Sequence, residues 1–219
     1  MFQRAAAIAI SFGLMAVPAK ACEVALVLAV DISGSISTEE YRLQMDGLAE
    51  ALRDPTVSDA LVETRATLSL MQWTGSSRQT FSIPWTQITT RADVAELAER
   101  VVAVKRAWLN YSTAIGEALL TAASRFAEVP ECERNVIDVS GDGYSNEGDE
   151  PGYVRDFLAS NGVTINGLAI EGAVEDLTSY FRSEVIGGPG AFVLTSRGYE
   201  DYPRAIRRKL LTEITKPSS

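Results

Sequence analysis

Apolar positions along the chain follow two alternating rhythms. Residues 24–30 form an unbroken apolar run ending at Asp31, the pattern of a strand buried on both faces. Helical spacing follows at once: Ser37 and Glu40, three residues apart, read as a capping box, and Tyr41, Met45, Leu48 and Leu52 recur on one face. Residues 64–73 predict a second strand and 79–83 a third, which Pro84 confines to the sheet edge; Gly75-Ser76-Ser77 between them suits an antiparallel hairpin. Helices are predicted over 91–104, with Val94, Leu97, Val101 and Val104 inward, and over 112–127, with Ile115, Leu119, Ala122 and Phe126 inward. A short strand, 136–139, runs into Ser140-Gly141-Asp142-Gly143, and a helix opens at Pro151. Strands 163–170 and 191–194 enclose a helix at 177–185, and a last helix at 199–213 aligns Tyr202, Ile206, Leu210 and the following Ile214. The alternation predicts one α/β domain: a doubly wound, mostly parallel six-stranded sheet with one antiparallel edge strand and helices on both faces.

The first 21 residues stand outside this pattern. Residues 5–17 are uncharged and mostly apolar, behind Arg4 and ahead of Ala19-Lys20-Ala21, which is the layout of a secretory signal peptide and too short for a membrane span. Cleavage there leaves Cys22 first. Acylation of that thiol is the less favoured alternative, because lipoprotein signals generally carry Leu three places before the cysteine. The domain is expected over 22–215, with 216–219 a frayed tail. The expected location is the periplasm or the cell exterior, with no transmembrane segment after cleavage.

Charge and composition then narrow the chemistry. The 20 basic and 29 acidic side chains give net −9, and loss of 1–21 removes Arg4 and Lys20 but no acid, leaving −11. That balance argues against a nucleic-acid partner. The chain has no histidine, which excludes a Ser-His-Asp triad, a Cys-His dyad, a His-ligated zinc and a His general base.

In an open sheet of this kind ligands bind beyond the carboxyl ends of the strands. Three loops there carry oxygen-bearing side chains. Asp31-Ile32-Ser33-Gly34-Ser35 leaves the first strand, Thr113 stands before the third helix, and Asp142 leaves the fourth strand between two glycines. Singly, such hydroxyls and carboxylates satisfy backbone groups in turns. Together they are five oxygen donors with no nitrogen or sulfur, the set a hard divalent cation prefers.

Asp31-x-Ser33-x-Ser35, Thr113 and Asp142 in Ser-Gly-Asp-Gly resemble the metal-ion-dependent adhesion site of von Willebrand factor type A domains, over about residues 22–213. More narrowly, the chain is similar to a group of uncharacterised secreted bacterial proteins of this type. The resemblance implies that Ser33 and Ser35 coordinate Mg²⁺ through their hydroxyls, Thr113 directly or through water, and Asp31 and Asp142 mainly through bound waters. Mn²⁺ or Ca²⁺ would substitute. It also implies a coordination position left for an Asp or Glu of a protein partner. Where the family commonly approaches the threonine through glycines, this chain has Asn110-Tyr111-Ser112, and Ser112 is also a candidate helix cap.

In the implied fold the first and fourth strands are parallel neighbours, so Cys22 and Cys132 fall at the same end of adjacent strands. A disulfide is expected there, opposite the metal, with two separate thiols or an acylated Cys22 as alternatives. Glu147, Asp149 and Glu150 read as a solvated loop feeding the helix at Pro151, or more sharply as a second, calcium-type site. Trp108 and Tyr111 flank the site loop and Trp73 and Trp85 frame the hairpin, or more blandly each closes part of the core or its rim; Tyr111 and Tyr144 are candidate contact residues.

The expected function is an exported, non-enzymatic, metal-dependent protein-binding module, monomeric when unbound. Mostly neutral oxygen ligands leave a cation electrophilic enough to take a partner's carboxylate. Two other classes stay open. One is a Mg²⁺-dependent hydrolase using Asp31 or Asp142 as nucleophile or base, which lacks a phosphate-cradling Gly-rich loop and an Asp-x-Asp pair. The other is a structural domain with a degenerate site.

Overall fold

The apolar run at the head of the domain forms the central strand β1 (Cys22–Asp31) of a computed structural model that describes residues 22–172 and 174–215. The expected signal peptide, 1–21, and tail, 216–219, lie outside the described residues. Parallel to β1 on either side are β2 (Thr67–Trp73) and β4 (Cys132–Gly141). The sheet continues through β5 (Val163–Ile170) to β6 (Val193–Ser196), also parallel, while β3 (Gln79–Gln87) runs antiparallel at the other edge. The order is β3-β2-β1-β4-β5-β6, the expected six-stranded sheet with one antiparallel edge strand.

Both faces of β1 are dry, which is why its sequence shows no polar alternation. Val24, Leu26, Leu28 and Val30 pack under α1 (Thr38–Arg53), α2 (Pro55–Glu63), α3 (Arg91–Ala103) and α7 (Tyr202–Thr215). The smaller Ala25, Val27 and Ala29 face α4 (Ile115–Ser124), α5 (Pro151–Ser160) and α6 (Leu177–Tyr180). The capping box of α1 is present: Glu40 N donates to Ser37 Oγ at 3.2 Å, and Ser37 N to Glu40 Oε2 at 2.7 Å. Its inward stripe Tyr41, Met45, Leu48 and Leu52 is buried.

Several boundaries differ from the pattern, each for a local reason. Helix α2 has only Val57, Ser58 and Leu61 buried, too short an apolar stripe to announce itself, and depends on the Asp54 cap and Pro55 at its start. β3 continues through Pro84 to Gln87, tolerated at an edge where the register to β2 shifts between Leu68 and Leu70. The helix expected from 112 begins at Ile115 and tightens into a 3₁₀ turn at Arg125–Glu128. The element expected at 177–185 is one α-turn followed by a π-type turn at Phe181–Val185, and the last helix opens with a 3₁₀ turn at Tyr199–Asp201. β4 starts earlier than its apolar segment because register with β1 carries pairing back to Cys132.

That register sets Cys22 opposite Cys132, and the two are bonded, closing a separation of 110 residues at the strand ends remote from Asp31 and Asp142. The bridge takes up the sulfur that acylation of Cys22 would need. Replacing both cysteines by serine is expected to cost about 2–4 kcal/mol in urea unfolding. Being at the far end of the sheet, the change should leave any response to divalent metal intact.

Between α7 and β4 lies a charged cluster that the apolar pattern does not foresee. Lys209 is fully buried, its Nζ 2.5 Å from Asp138 Oδ1 and 2.7 Å from Glu213 Oε1. Burial and the neighbouring Asp138 charge push the Glu213 carboxyl up to about 8, so near neutral pH it keeps a proton while Lys209 pairs with Asp138. Arg134 closes the end of α7 by donating to the carbonyls of Glu213 and Ile214 at 2.9 and 3.0 Å. Among the described residues no helix is long and apolar enough to cross a membrane.

Candidate metal centre

The strand order reverses about β1, with β2 on one side and β4 on the other, so the loops leaving β1 and β4 open a crevice between them. Asp31 ends β1 fully buried. Its Oδ1 accepts from Ser33 N at 2.7 Å, while its Oδ2 has no hydrogen-bond partner. Ser33 Oγ and Ser35 Oγ are 3.3 Å apart, and Ser35 Oγ donates to Asp142 Oδ1 at 2.8 Å. Four of the five expected donors thus form one connected chain. Thr113 is 6% exposed and reaches the same loop from the other side, its Oγ1 3.9 Å from where a Cβ on Gly143 would stand.

Several side chains hold these loops in place, and sequence reasoning did not find them. Arg106 donates to the carbonyls of Ile32, Ser33 and Ile36 at 2.9, 2.9 and 2.7 Å, clamping the turn after β1 from beneath. Gly34 N donates to Tyr111 O at 2.7 Å, and a Cβ on Gly34 would stand 3.0 Å from that oxygen, so glycine lets the two loops meet without one of them giving way. A Cβ on Gly141 would likewise stand 3.0 Å from Asp31 Oδ2. Thr113 is fixed by its own N–H to Asn146 Oδ1 at 2.9 Å and by Asn146 N to its carbonyl at 2.9 Å. Ser112 does not cap α4. Residues 112–114 stay outside the helix, Ile115 N donates instead to Ser145 Oγ at 3.2 Å, and the Ser112 hydroxyl bonds Glu147. An arginine or asparagine in a loop carries no sequence signal of such a role, because its partners are backbone groups distant in the chain.

Electrostatically the cluster is out of balance. Burial, and then the charge of Asp142, push the Asp31 carboxyl up to about 7; Asp142 is also raised, chiefly by burial. Hydroxyls orient around these carboxylates without neutralising them, and the Arg106 guanidinium is spent on carbonyls. A bare, buried carboxylate oxygen is costly on its own. An all-oxygen donor set with such an oxygen fits a hard divalent cation.

The acidic loop before α5 does other work. Glu147 accepts from the Ser112 hydroxyl and from Ser76 N at 3.1 Å, and Asp149 N donates to Glu117 Oε1 at 3.1 Å, tying three loops together. Among the described residues no group of three or more His, Cys, Asp or Glu side chains is placed to hold a metal. Tyr111 and Tyr144 are each 40% exposed on this face. The Arg78 guanidinium stacks 3.8 Å over the Tyr111 ring, and Tyr144 packs edge-on against Tyr180. Trp73 is fully buried, Trp85 Nε1 donates to Arg125 O at 3.1 Å, and Trp108 packs against the core, as expected of aromatics that close it.

A doubly wound sheet with this topology is a von Willebrand factor type A fold. Proximal thread matrix protein 1 of the mussel byssus matches it with a TM-score of 0.65 at 17% identity, over 87% of this chain and 47% of that one; a further structure of that protein has a zinc-occupied MIDAS motif. The pilus adhesin SpaC from Lactobacillus rhamnosus GG matches with a TM-score of 0.66 at 10% identity, over 88% of this chain and 30% of its own. A von Willebrand factor type A protein from Catenulispora acidiphila matches with a TM-score of 0.60 at 16% identity, over 90% and 44%. This chain spans about half the length of those proteins or less. Within that fold the chain belongs to the family described as protein of unknown function (DUF1194), which matches residues 21–218. No curated protein matches it.

Proposed function

We propose that this protein is an exported, divalent-metal-dependent protein-binding module that captures an acidic side chain of a partner at the ends of β1 and β4. The observation that carries the reading is the fully buried, unpartnered Asp31 Oδ2 in a connected set of hydroxyls and a second carboxylate. Ser33, Ser35 and Thr113 would hold Mg²⁺ through hydroxyls, with Asp31 and Asp142 behind bound waters, and Mn²⁺ or Ca²⁺ would serve in its place. When bound, the cation supplies a positive point that a partner's Asp or Glu can reach. The chain's own residues do the rest. Arg106, Gly34 and Asn146 fix the donors before a partner arrives, so little ordering is left to be done on binding. Asp31 is fully buried and is not presented to a substrate as a nucleophile, which supports a binding rather than a hydrolytic role. The adhesin and matrix proteins among its structural neighbours support the same reading.

The test is retention of a cell-envelope protein on the immobilised mature chain. Retention is expected in Mg²⁺ and is expected to disappear with EDTA or with Ser33→Ala, a change that removes one hydroxyl and leaves the Arg106 clamp on the Ser33 carbonyl in place. Retention that survives both would sink the proposal.

A further inference from the structure

At the edge of the sheet, two strands beyond β4, a cleft of about 660 Å³ runs between β6 and α7. Its walls include Val193 and Thr195 of the strand and Arg197, Asp201, Arg204 and Arg208 around them. We propose that this cleft takes an extended acidic segment of a protein partner, which pairs with β6 as a further strand and sets a carboxylate at every second residue against the arginines. The inference goes beyond the adhesion reading, because none of the expected metal donors takes part in it.

Two independent features support it. The first is the open edge. β6 reads Val193-Leu194-Thr195-Ser196, with neither a charge nor a proline, two devices that keep an exposed edge from pairing. Phe192 O accepts from Gly167 N at 3.0 Å and Ser196 O from Glu171 N at 2.9 Å, so alternation along the strand points the N–H and C=O of Val193 and Thr195 away from β5. Their side chains leave on the face away from α7: Val193 packs with the core under α6, and Thr195 Oγ1 lies 2.7 Å from Thr178 Oγ1. The cleft therefore meets these two residues along their backbone, which is the geometry that strand addition uses.

The second feature is charge. Arg204 is held by Asp201, its Nε at 2.6 Å and its Nη2 at 2.7 Å, and Arg197 N donates to the same carboxylate at 3.1 Å. That one acid faces three guanidinium groups. Among the described residues Arg197 and Arg208, both exposed, form no ion pair. Although the mature chain is net −11, charges beyond a screening length of about 8 Å count for little, so the arginines set the local field. Arg204 and Arg208, four residues apart on α7, follow each other along the cleft about 5–6 Å apart at their Cβ atoms. Alternate residues of an added strand repeat at roughly 7 Å, close to that step. Residues paired beside Leu194, which packs toward α7, would present their side chains to the arginines, and those between would lie on the α6 side.

The test is a titration of the isotope-labelled mature chain, in EDTA, with an end-capped peptide alternating glutamate and valine, followed by nuclear magnetic resonance. EDTA keeps the glutamates from reaching the protein through a metal. Saturable binding is expected, with amide exchange at Val193 and Thr195 slowed about tenfold when the peptide stands at ten times its Kd. The Arg197→Gln/Arg208→Gln variant is expected to bind about 2- to 30-fold more weakly, the span of two exposed ion pairs. Should that variant disturb folding by circular dichroism, a peptide with lysine for glutamate, expected not to bind the wild type, tests the charge in its place. No binding of the acidic peptide, or binding that leaves exchange at Val193 and Thr195 unchanged, would overturn the inference. Equal affinity for the acidic and basic peptides would overturn it as well, and capture of phosphatidylserine vesicles without peptide binding would assign the arginines to a membrane surface instead. Each of these failures leaves the metal-dependent retention untouched, since that is read in Mg²⁺ and at other residues.

Discussion

In EDTA, Asp31→Asn is expected to melt above the wild type, and in saturating Mg²⁺ below it. The reversal follows from the balance at the end of β1. Without a cation the Asp31 carboxylate is fully buried, repelled by Asp142 and bare at Oδ2, so its charge is a cost to the folded state. Asparagine removes the charge and keeps an oxygen for the Ser33 N–H. With metal the sign changes. Binding at a hundredfold excess over Kd contributes about 2.7 kcal/mol to the wild type, or roughly 5–11 °C in Tm for a domain of this size, and the variant should gain little of it. Scanning calorimetry of both proteins in EDTA and in Mg²⁺ gives the four numbers. A wild type with no response to Mg²⁺ would reduce the strand-end cluster to a polar turn.

Replacing Lys209 by methionine is expected to be among the most damaging single changes in the chain. It leaves Asp138 and Glu213, 2% and 1% exposed, without their shared cation. Breaking a buried pair in this way costs about 3–5 kcal/mol, or roughly 6–20 °C in Tm, and adding Asp138→Asn should recover part of the loss by removing the uncompensated charge. The same cluster sets a pH dependence. Glu213 titrates at about 8 in the folded chain against 4.5 as a free side chain, so between those values the folded state holds the extra proton. Stability from this group is therefore complete below pH 4.5 and is lost as pH rises through 8. Asp31, raised from 3.8 to about 7, adds a slope of the same sign in the absence of metal. Urea unfolding across that range should show stability falling with pH, and Glu213→Gln should flatten the upper part of the curve while Asp31→Asn flattens the lower.

What the sequence reveals and what it hides divide along a physical line. β1, the α1 capping box, the Asp31-x-Ser33-x-Ser35 turn and Asp142 between glycines are local patterns, and a local pattern is visible without the fold. The Cys22–Cys132 bridge needed only the strand order that the resemblance supplied. Arg106, Asn146, Ser145 and Tyr199 stayed hidden because each acts on a group distant in sequence, and in a loop each looks like ordinary surface. Lys209 and Glu213 stand four residues apart on a helix, a spacing that is ordinary for surface ion pairs and carries no signal of burial. They turn inward because β4 places Asp138 beneath them. Ser112 shows the converse error: a hydroxyl before a helix is usually its cap, but here the helix starts only at Ile115 and the Ser112 hydroxyl is taken by Glu147.

The central claim, one divalent cation held by Asp31, Ser33, Ser35, Thr113 and Asp142, is tested most directly by titrating the mature protein with Mn²⁺ and counting bound ion by electron paramagnetic resonance. One Mn²⁺ per chain, displaced by Mg²⁺ and lost in Asp31→Asn and Ser33→Ala, is the expected result. No bound ion in the wild type, or equal binding by the two variants, would contradict it.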